Sequence, residues 1–115
     1  MGNSSQKPVV LVTGAGGGIG QASARRIAAE GGAVYCVDLN PAAVEAAVAA
    51  IRAEGGRASG GVCDISREDA VRACVAACVA EYGSLYALVN MAGLLRFDDT
   101  QQLTLAQWQQ VIDVN

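Results

Sequence analysis

Short apolar runs alternate along this chain with longer stretches in which apolar residues recur every three or four positions. The run at residues 9–12, rich in β-branched side chains, predicts a strand that is buried on both faces. Three further runs predict strands at residues 33–37, 57–63 and 85–90, and a pair of glycines weakens the prediction at 57–63. The pattern therefore predicts four short strands.

The stretches between these runs predict helices at residues 21–30, at 42–54 and from about residue 68 to Tyr82. Asn40 and Pro41 suit the N-cap and the first position of the second helix. Ser66 with Asp69 resembles a capping box for the third helix, whose inward side chains would be Val71, Val75, Cys78 and Val79.

A fourth helix is predicted after Thr104, which forms a capping box with Gln107. Its apolar face would consist of Leu105, Trp108, Val111 and Ile112. Strands and helices thus alternate throughout, which predicts an α/β fold with a parallel, doubly wound sheet and right-handed crossovers.

Composition limits the classes of protein that this chain can represent. With 115 residues, 52% of them hydrophobic, it suits one globular domain over residues 8–115, preceded by a polar, disordered tail at residues 1–7. The net charge of −3 with no basic cluster argues against nucleic acid as a partner. No apolar run is long enough for a bilayer, so we expect no membrane partner and a cytoplasmic location.

Cysteine spacing and the lack of histidine argue against a metal site. None of the four cysteines forms a C-x-x-C pair, and the chain contains no histidine. A zinc site is therefore not predicted, and Ser-His or Cys-His nucleophiles are excluded within these residues. Cys74 and Cys78 share one helical face, where small buried apolar residues are expected.

A glycine cluster follows the first strand and reads Thr13-Gly14-x-x-x-Gly18-Ile19-Gly20. A strand, a glycine turn and a helix in this order place free helix N–H groups at a sheet edge, which attracts phosphate. The strict G-x-G-x-x-G pattern fails at Ile19, and a P-loop is excluded because Lys7 is the only lysine. The alternative is that these glycines form only a flexible turn and bind no phosphate.

Asp38 ends the second strand, 18 positions after Gly20. In dinucleotide sites an acidic residue about twenty positions on accepts hydrogen bonds from the adenosine ribose. The same carboxylate would repel a 2′-phosphate, and no arginine stands at Gly17 or Leu39, so NAD is predicted over NADP. The alternative is that Asp38 only caps a helix or stabilises a turn.

The glycine motif resembles the cofactor motif of the short-chain dehydrogenase/reductase family, which binds NAD or NADP on a Rossmann-like sheet. Asn90-Met91-Ala92-Gly93 is similar to the family's Asn-Asn-Ala-Gly motif, with methionine in the second position. The resemblance implies that Asp64 and Ile65 lie against the adenine ring. The cofactor site that it implies contains Gly14, Gly16, Gly17, Gly18, Ile19, Gly20, Asp38, Leu39, Cys63, Asp64, Ile65, Asn90, Ala92 and Gly93.

Asn115 matches the asparagine of the family's catalytic tetrad, whereas no Tyr-x-x-x-Lys pair is present. The resemblance therefore implies the cofactor-binding half of an enzyme that moves a hydride between NAD and an alcohol or ketone. We expect this chain to be the N-terminal part of a longer protein and inactive by itself. A homotetramer or homodimer is expected for the whole enzyme.

Two other functions stay open on the sequence alone. The missing pair favours a non-catalytic dinucleotide-binding module, alone or completed by a partner chain. A methyltransferase that uses S-adenosylmethionine also has a glycine-rich first turn and an acidic residue after its second strand, although the spacing of the glycines disfavours it.

Overall fold

The computed structural model describes residues 8–92 and 105–114, and of the last helix it describes only part of the side chains. Within them, strands and helices alternate along the chain as predicted. The elements are β1 (Val9–Thr13), α1 (Gly18–Ala29), β2 (Ala33–Asp38), α2 (Pro41–Ala53), β3 (Arg57–Val62), α3 (Glu68–Tyr82), β4 (Ala87–Asn90) and α4 (Leu105–Val114).

The four strands form one parallel sheet in the order β3-β2-β1-β4. The predicted α/β, Rossmann-like fold is confirmed. Because β1 pairs with β2 on one side and with β4 on the other, the strand order reverses at β1. Ligands of open parallel sheets bind at such a reversal, outside the carboxyl ends of the strands.

Alternate residues of β1 and β2 supply two separate cores, one on each face of the sheet. Val12, Val34 and Cys36 pack on the face covered by α1 and α2, together with Ala24, Ala28, Ala47 and Ile51. On the opposite face, Leu11 and Val37 pack with Cys63 and Cys78, and side chains of α3 complete the cluster. We call these the α1/α2 face and the α3 face.

The start of α2 is as predicted. Asn40 accepts hydrogen bonds through its side chain from Ala42 N at 3.0 Å and Ala43 N at 3.4 Å, and Pro41 is the first helical residue. Helix α1 begins at Gly18, three residues earlier than its hydrophobic pattern indicates, because the helix continues into the glycine turn.

The predicted N-cap of α3, Ser66, is wrong, although the helix begins at Glu68 as expected. Its N-cap is Arg67, without a side-chain cap, and the Ser66 hydroxyl donates to Asp64 Oδ1 at 2.6 Å. A turn from Asp64 to Arg67, in which Arg67 N donates to Asp64 O at 3.1 Å, places Ser66 before the N-cap. No described helix is long and apolar enough to cross a bilayer.

The inward face of α3 also differs from the prediction. Cys78 is buried and Val71 packs against the core, but Val75 and Val79 are 36% and 39% exposed. The buried stripe instead follows Val71, Cys74, Cys78 and Tyr82, because valines one position further on point about 100° away around the helix.

In α4, Leu105 and Ile112 of the predicted apolar face are exposed. The predicted tail at residues 1–7 and the predicted cap at Thr104 lie outside the described residues.

Candidate functional site

The glycine turn packs tightly against the end of β4 and against its own helix. Gly14 has a φ of +65°, and a Cβ there would lie 2.7 Å from Ala92 N. A Cβ on Gly20 would overlap the carbonyl oxygen of Gly14. These two positions require glycine for backbone packing alone.

Gly17 and Gly18 have no such packing reason to be glycine. A Cβ on Gly18 would meet nothing within 4 Å, and one on Gly17 would only touch Gly14 O at 3.6 Å. Both glycines and Ile19 are exposed, so the start of α1 faces open space. Since the first N–H groups of a helix have no partner within it, this end offers donors and a positive dipole to an anion.

Asp38 lies at the carboxyl end of β2 and is held by backbone on both of its oxygens. Its Oδ2 accepts a hydrogen bond from Gly16 N at 3.0 Å, and its Oδ1 accepts one from Asn40 N at 3.2 Å. The Gly16 bond joins the carboxylate to the glycine turn. The side chain is half-buried, so it remains accessible to a ligand in the cleft.

The end of β3 supplies the third wall of the site. Cys63 N donates to Asp38 O at 3.2 Å, which continues the β2–β3 pairing beyond the strand. Asp64 Oδ1 accepts from Ser66 Oγ and also from Ser66 N at 3.0 Å, and these bonds lower the pKa of the Asp64 carboxyl. Burial raises the pKa of the Cys63 thiol.

Thr13 links β1 to the end of β4 and was missed as a site residue by the sequence interpretation. Its hydroxyl oxygen accepts from Met91 N at 3.1 Å and Ala92 N at 3.2 Å, and it lies 3.5 Å from Val89 O, to which it can donate. The signal available in the sequence was a single hydroxyl residue that ends an apolar strand. This link uses the backbone N–H of Met91. It therefore does not depend on the asparagine that the family motif has in place of Met91.

These four strand ends surround a cleft of about 300 Å³. It brings together eight of the predicted cofactor residues: Gly14, Gly17, Asp38, Leu39, Cys63, Asp64, Ile65 and Ala92. Val37, Met91 and Val114 also line it and were not predicted. Among the described residues, the charged side chains in its lining are Asp38 and Asp64, which are both acidic.

The other predicted residues lie outside the cleft lining or outside the described residues. Gly16 contacts Asp38 from the turn, and Gly18, Ile19 and Gly20 form the first turn of α1. Asn90 lines an adjoining cavity of about 380 Å³ on the α3 face, not the cleft itself. Gly93 and Asn115 lie outside the described residues.

No group of three or more potential metal ligands occurs among the described residues. The site consists instead of exposed helix N–H groups, a carboxylate at the next strand end and an acidic, partly apolar wall. Together with the parallel sheet, these features define the class of α/β domains with a ligand cleft at the strand-order reversal.

The chain belongs to the short chain dehydrogenase family, whose model matches residues 8–115. It is 50% identical over 113 residues to the short-chain reductase protein NovJ of Streptomyces niveus, covering 96% of this chain and 42% of that protein. It is 42% identical over 116 residues to a 3β-hydroxysteroid dehydrogenase of Mediterraneibacter gnavus, covering 100% of this chain and 42% of that protein.

Among solved structures, the chain resembles actinorhodin polyketide ketoreductase with NADPH, at a TM-score of 0.90 and 34% identity. That match covers 94% of this chain and 41% of the ketoreductase chain. The chain therefore spans less than half the length of the relatives that it matches.

Proposed function

We propose that this chain is the cofactor-binding half of an NAD-dependent oxidoreductase that transfers a hydride between NAD(H) and an alcohol or ketone. The observation that carries the proposal is the Asp38 carboxylate, which Gly16 N holds at 3.0 Å beside the open start of α1. One side of the cleft thus offers N–H donors for a diphosphate, and the other offers acceptors for a ribose.

The residues present fit a dinucleotide. The N–H groups of the first turn, at Gly18 and Ile19, would hold the diphosphate, since glycine at positions 17 and 18 leaves that approach open. Asp38 would accept hydrogen bonds from the adenosine ribose. Leu39 and Ile65 line the same cleft and would contact the adenine ring, with Asp64 beside them.

Charge supports NAD over NADP. Asp38 and Asp64 both line the cleft, and the described part of its lining includes no basic side chain. A 2′-phosphate on the ribose would therefore meet like charge, whereas a free hydroxyl would donate to Asp38. The related ketoreductase structure contains NADPH, so the proposal of NAD for this chain rests on Asp38 and Asp64 and not on the relatives.

The remaining chemistry is proposed for the whole protein. When bound, the nicotinamide would donate or accept the hydride. Asn115 is proposed to support a proton path, as the resemblance implies. The proton donor would come from outside these 115 residues, because Lys7 is the only lysine and no Tyr-x-x-x-Lys pair exists. We also propose, from the family resemblance, that the whole protein forms a homotetramer or a homodimer.

The absence of that pair supports a second candidate, a dinucleotide-binding module without catalysis of its own. The two candidates share the cleft and differ only in what completes it. Alcohol oxidation or ketone reduction by the protein, followed through NADH absorbance, would support the enzyme. NADH binding without turnover, for a range of alcohols and ketones, would support the module.

Fluorescence titration with NADH and NADPH tests the binding proposal itself. We expect NADH to bind at least about tenfold more tightly, because a hydrogen bond to a charged group contributes about 1.5–3 kcal/mol. Asp38→Asn should lose most of this preference, whereas Asp69→Asn, the same change on α3, should keep it. Equal or tighter binding of NADPH by the unmodified protein would contradict the choice of NAD.

A further inference from the structure

Ala43, in the first turn of α2, lies directly against the glycine turn. A Cβ built on Gly16 would overlap Ala43 Cβ and lie 3.3 Å from Ala43 Cα. The same Cβ would lie 2.9 Å from Asp38 Oδ2. Gly16 is therefore confined between a helix and a carboxylate, and a larger residue there would displace α2 or the carboxylate.

The helix, the turn and the carboxylate form one connected unit. Asn40 N, at the N-cap of α2, donates to Asp38 Oδ1, while Gly16 N donates to Oδ2. The position of Ala43 is fixed by the same cap, since its own N–H donates to Asn40 Oδ1 at 3.4 Å. The Asp38 carboxylate thus bridges the glycine turn and the N-cap of α2.

We infer that Ala43 is a positioning residue for cofactor choice: its single methyl group sets the spacing at which Gly16 N orients Asp38 toward the cleft. This inference rests on the proposed function. A larger side chain at position 43 would separate α2 from the turn and break the Gly16 bond. Asp38 would then be held by Asn40 N alone and could rotate away from the ribose.

Ala43→Leu tests the inference through the ratio of two dissociation constants. We expect NADH binding to weaken by about tenfold, the equivalent of one charged hydrogen bond, and NADPH binding to change much less. A purely structural disturbance of the cleft would weaken both ligands by a similar factor and leave the ratio unchanged. Ala46→Leu is the matched control, because Ala46 is exposed on the same helix.

Gly16→Ala with and without Ala43→Gly provides a second test that does not depend on the leucine variant folding. Gly16→Ala should weaken NADH binding, and Ala43→Gly should restore part of it, because it removes the overlapping Cβ. Rescue by Ala43→Gly confirms the contact. Simple additivity of the two changes overturns it.

The outcomes separate this inference from the proposed function. A preference of the unmodified protein for NADH that Ala43→Leu leaves intact, with no rescue in the double variant, overturns the role of Ala43 alone. Failure of the unmodified protein to bind either dinucleotide overturns both. Loss of the preference in Ala43→Leu but not in Ala46→Leu supports both.

Discussion

The two faces of the sheet differ in how completely the described residues cover them. On the α1/α2 face, Val12, Val34 and Cys36 are fully buried and Ile51 is 1% exposed. On the α3 face, Leu88 beside β1 is 55% exposed. Among the described residues, the α1/α2 face is therefore closely packed, whereas the α3 face is less completely covered near β4.

This difference shows which part of the candidate site depends on local packing. Gly16, Asp38 and Ala43 lie where α2 meets the turn, on the closed side, and their geometry is set by contacts within residues 14–43. Asn90 lies on the open side, beside Leu88 and Leu11. The geometry on the Asp38 side of the cleft is thus determined by packing between neighbouring segments of the chain.

The largest expected effect is on the free energy of unfolding, and it is measured by truncating one apolar side chain on each face of the sheet. Ile51→Ala should lower the free energy of unfolding by about 2–5 kcal/mol, because it opens a cavity in a closed core. Leu88→Ala should cost less than about 1 kcal/mol, since much of that side chain already contacts solvent. Urea denaturation of both variants measures the difference, and equal losses would contradict the contrast between the faces.

The next largest effect on stability should come from the hydrogen bonds by which Thr13 links β1 to the end of β4. Thr13→Val removes the oxygen that accepts from Met91 N and Ala92 N, and should cost about 1–3 kcal/mol of unfolding free energy. Thr13→Ser keeps the hydroxyl and should recover most of this stability. If the serine variant is no better than the valine variant, the threonine methyl group matters and the hydrogen bonds do not.

The smallest expected effect concerns an ion pair on the surface that joins α1 to α2. Arg25 donates two hydrogen bonds to the Glu54 carboxylate, at 2.9 and 2.8 Å, and lowers its pKa. A carboxyl whose pKa is lower in the folded state stabilises the fold above its unfolded pKa and loses that contribution as the pH falls through its folded pKa.

Glu54→Gln should therefore reduce the Tm slightly at pH 7, and the difference from the unmodified protein should close at acid pH. Glu45→Gln, elsewhere on α2, is the matched control. A difference that grows as the pH falls would contradict the assignment of this ion pair.

Much of the fold could be predicted because buried parallel strands are continuously apolar. Glycines, and the Asn40-Pro41 helix start, also mark where one element ends and the next begins. The Asn40-Pro41 cap and the strand ends at Asp38 and Asn90 lie where the sequence indicates. The predicted cap at Ser66 was wrong because Asp64 accepts a hydrogen bond from Ser66 N in a turn that leaves Arg67, one residue later, as the N-cap. Whether an aspartate folds back in this way is not visible in a pattern of residue types.

The candidate site could be predicted only in part, and for a similar reason. Motif spacing identified the glycine turn and Asp38, since both follow directly from a strand–turn–helix order. The roles of Thr13 and Ala43 depend on which atoms come together across β4 and α2. Such contacts follow from register and helix position, which residue spacing does not determine.

Nuclear magnetic resonance of the ¹⁵N-labelled protein titrated with NAD tests the central claim most directly. We predict that the largest amide shifts occur at Gly16, Gly18, Ile19, Asp38 and Asp64, around the cleft. Shifts concentrated instead around Leu88 and Val75, in the cavity on the α3 face, would contradict the assignment, as would no change at Gly18 and Asp38 at saturating NAD.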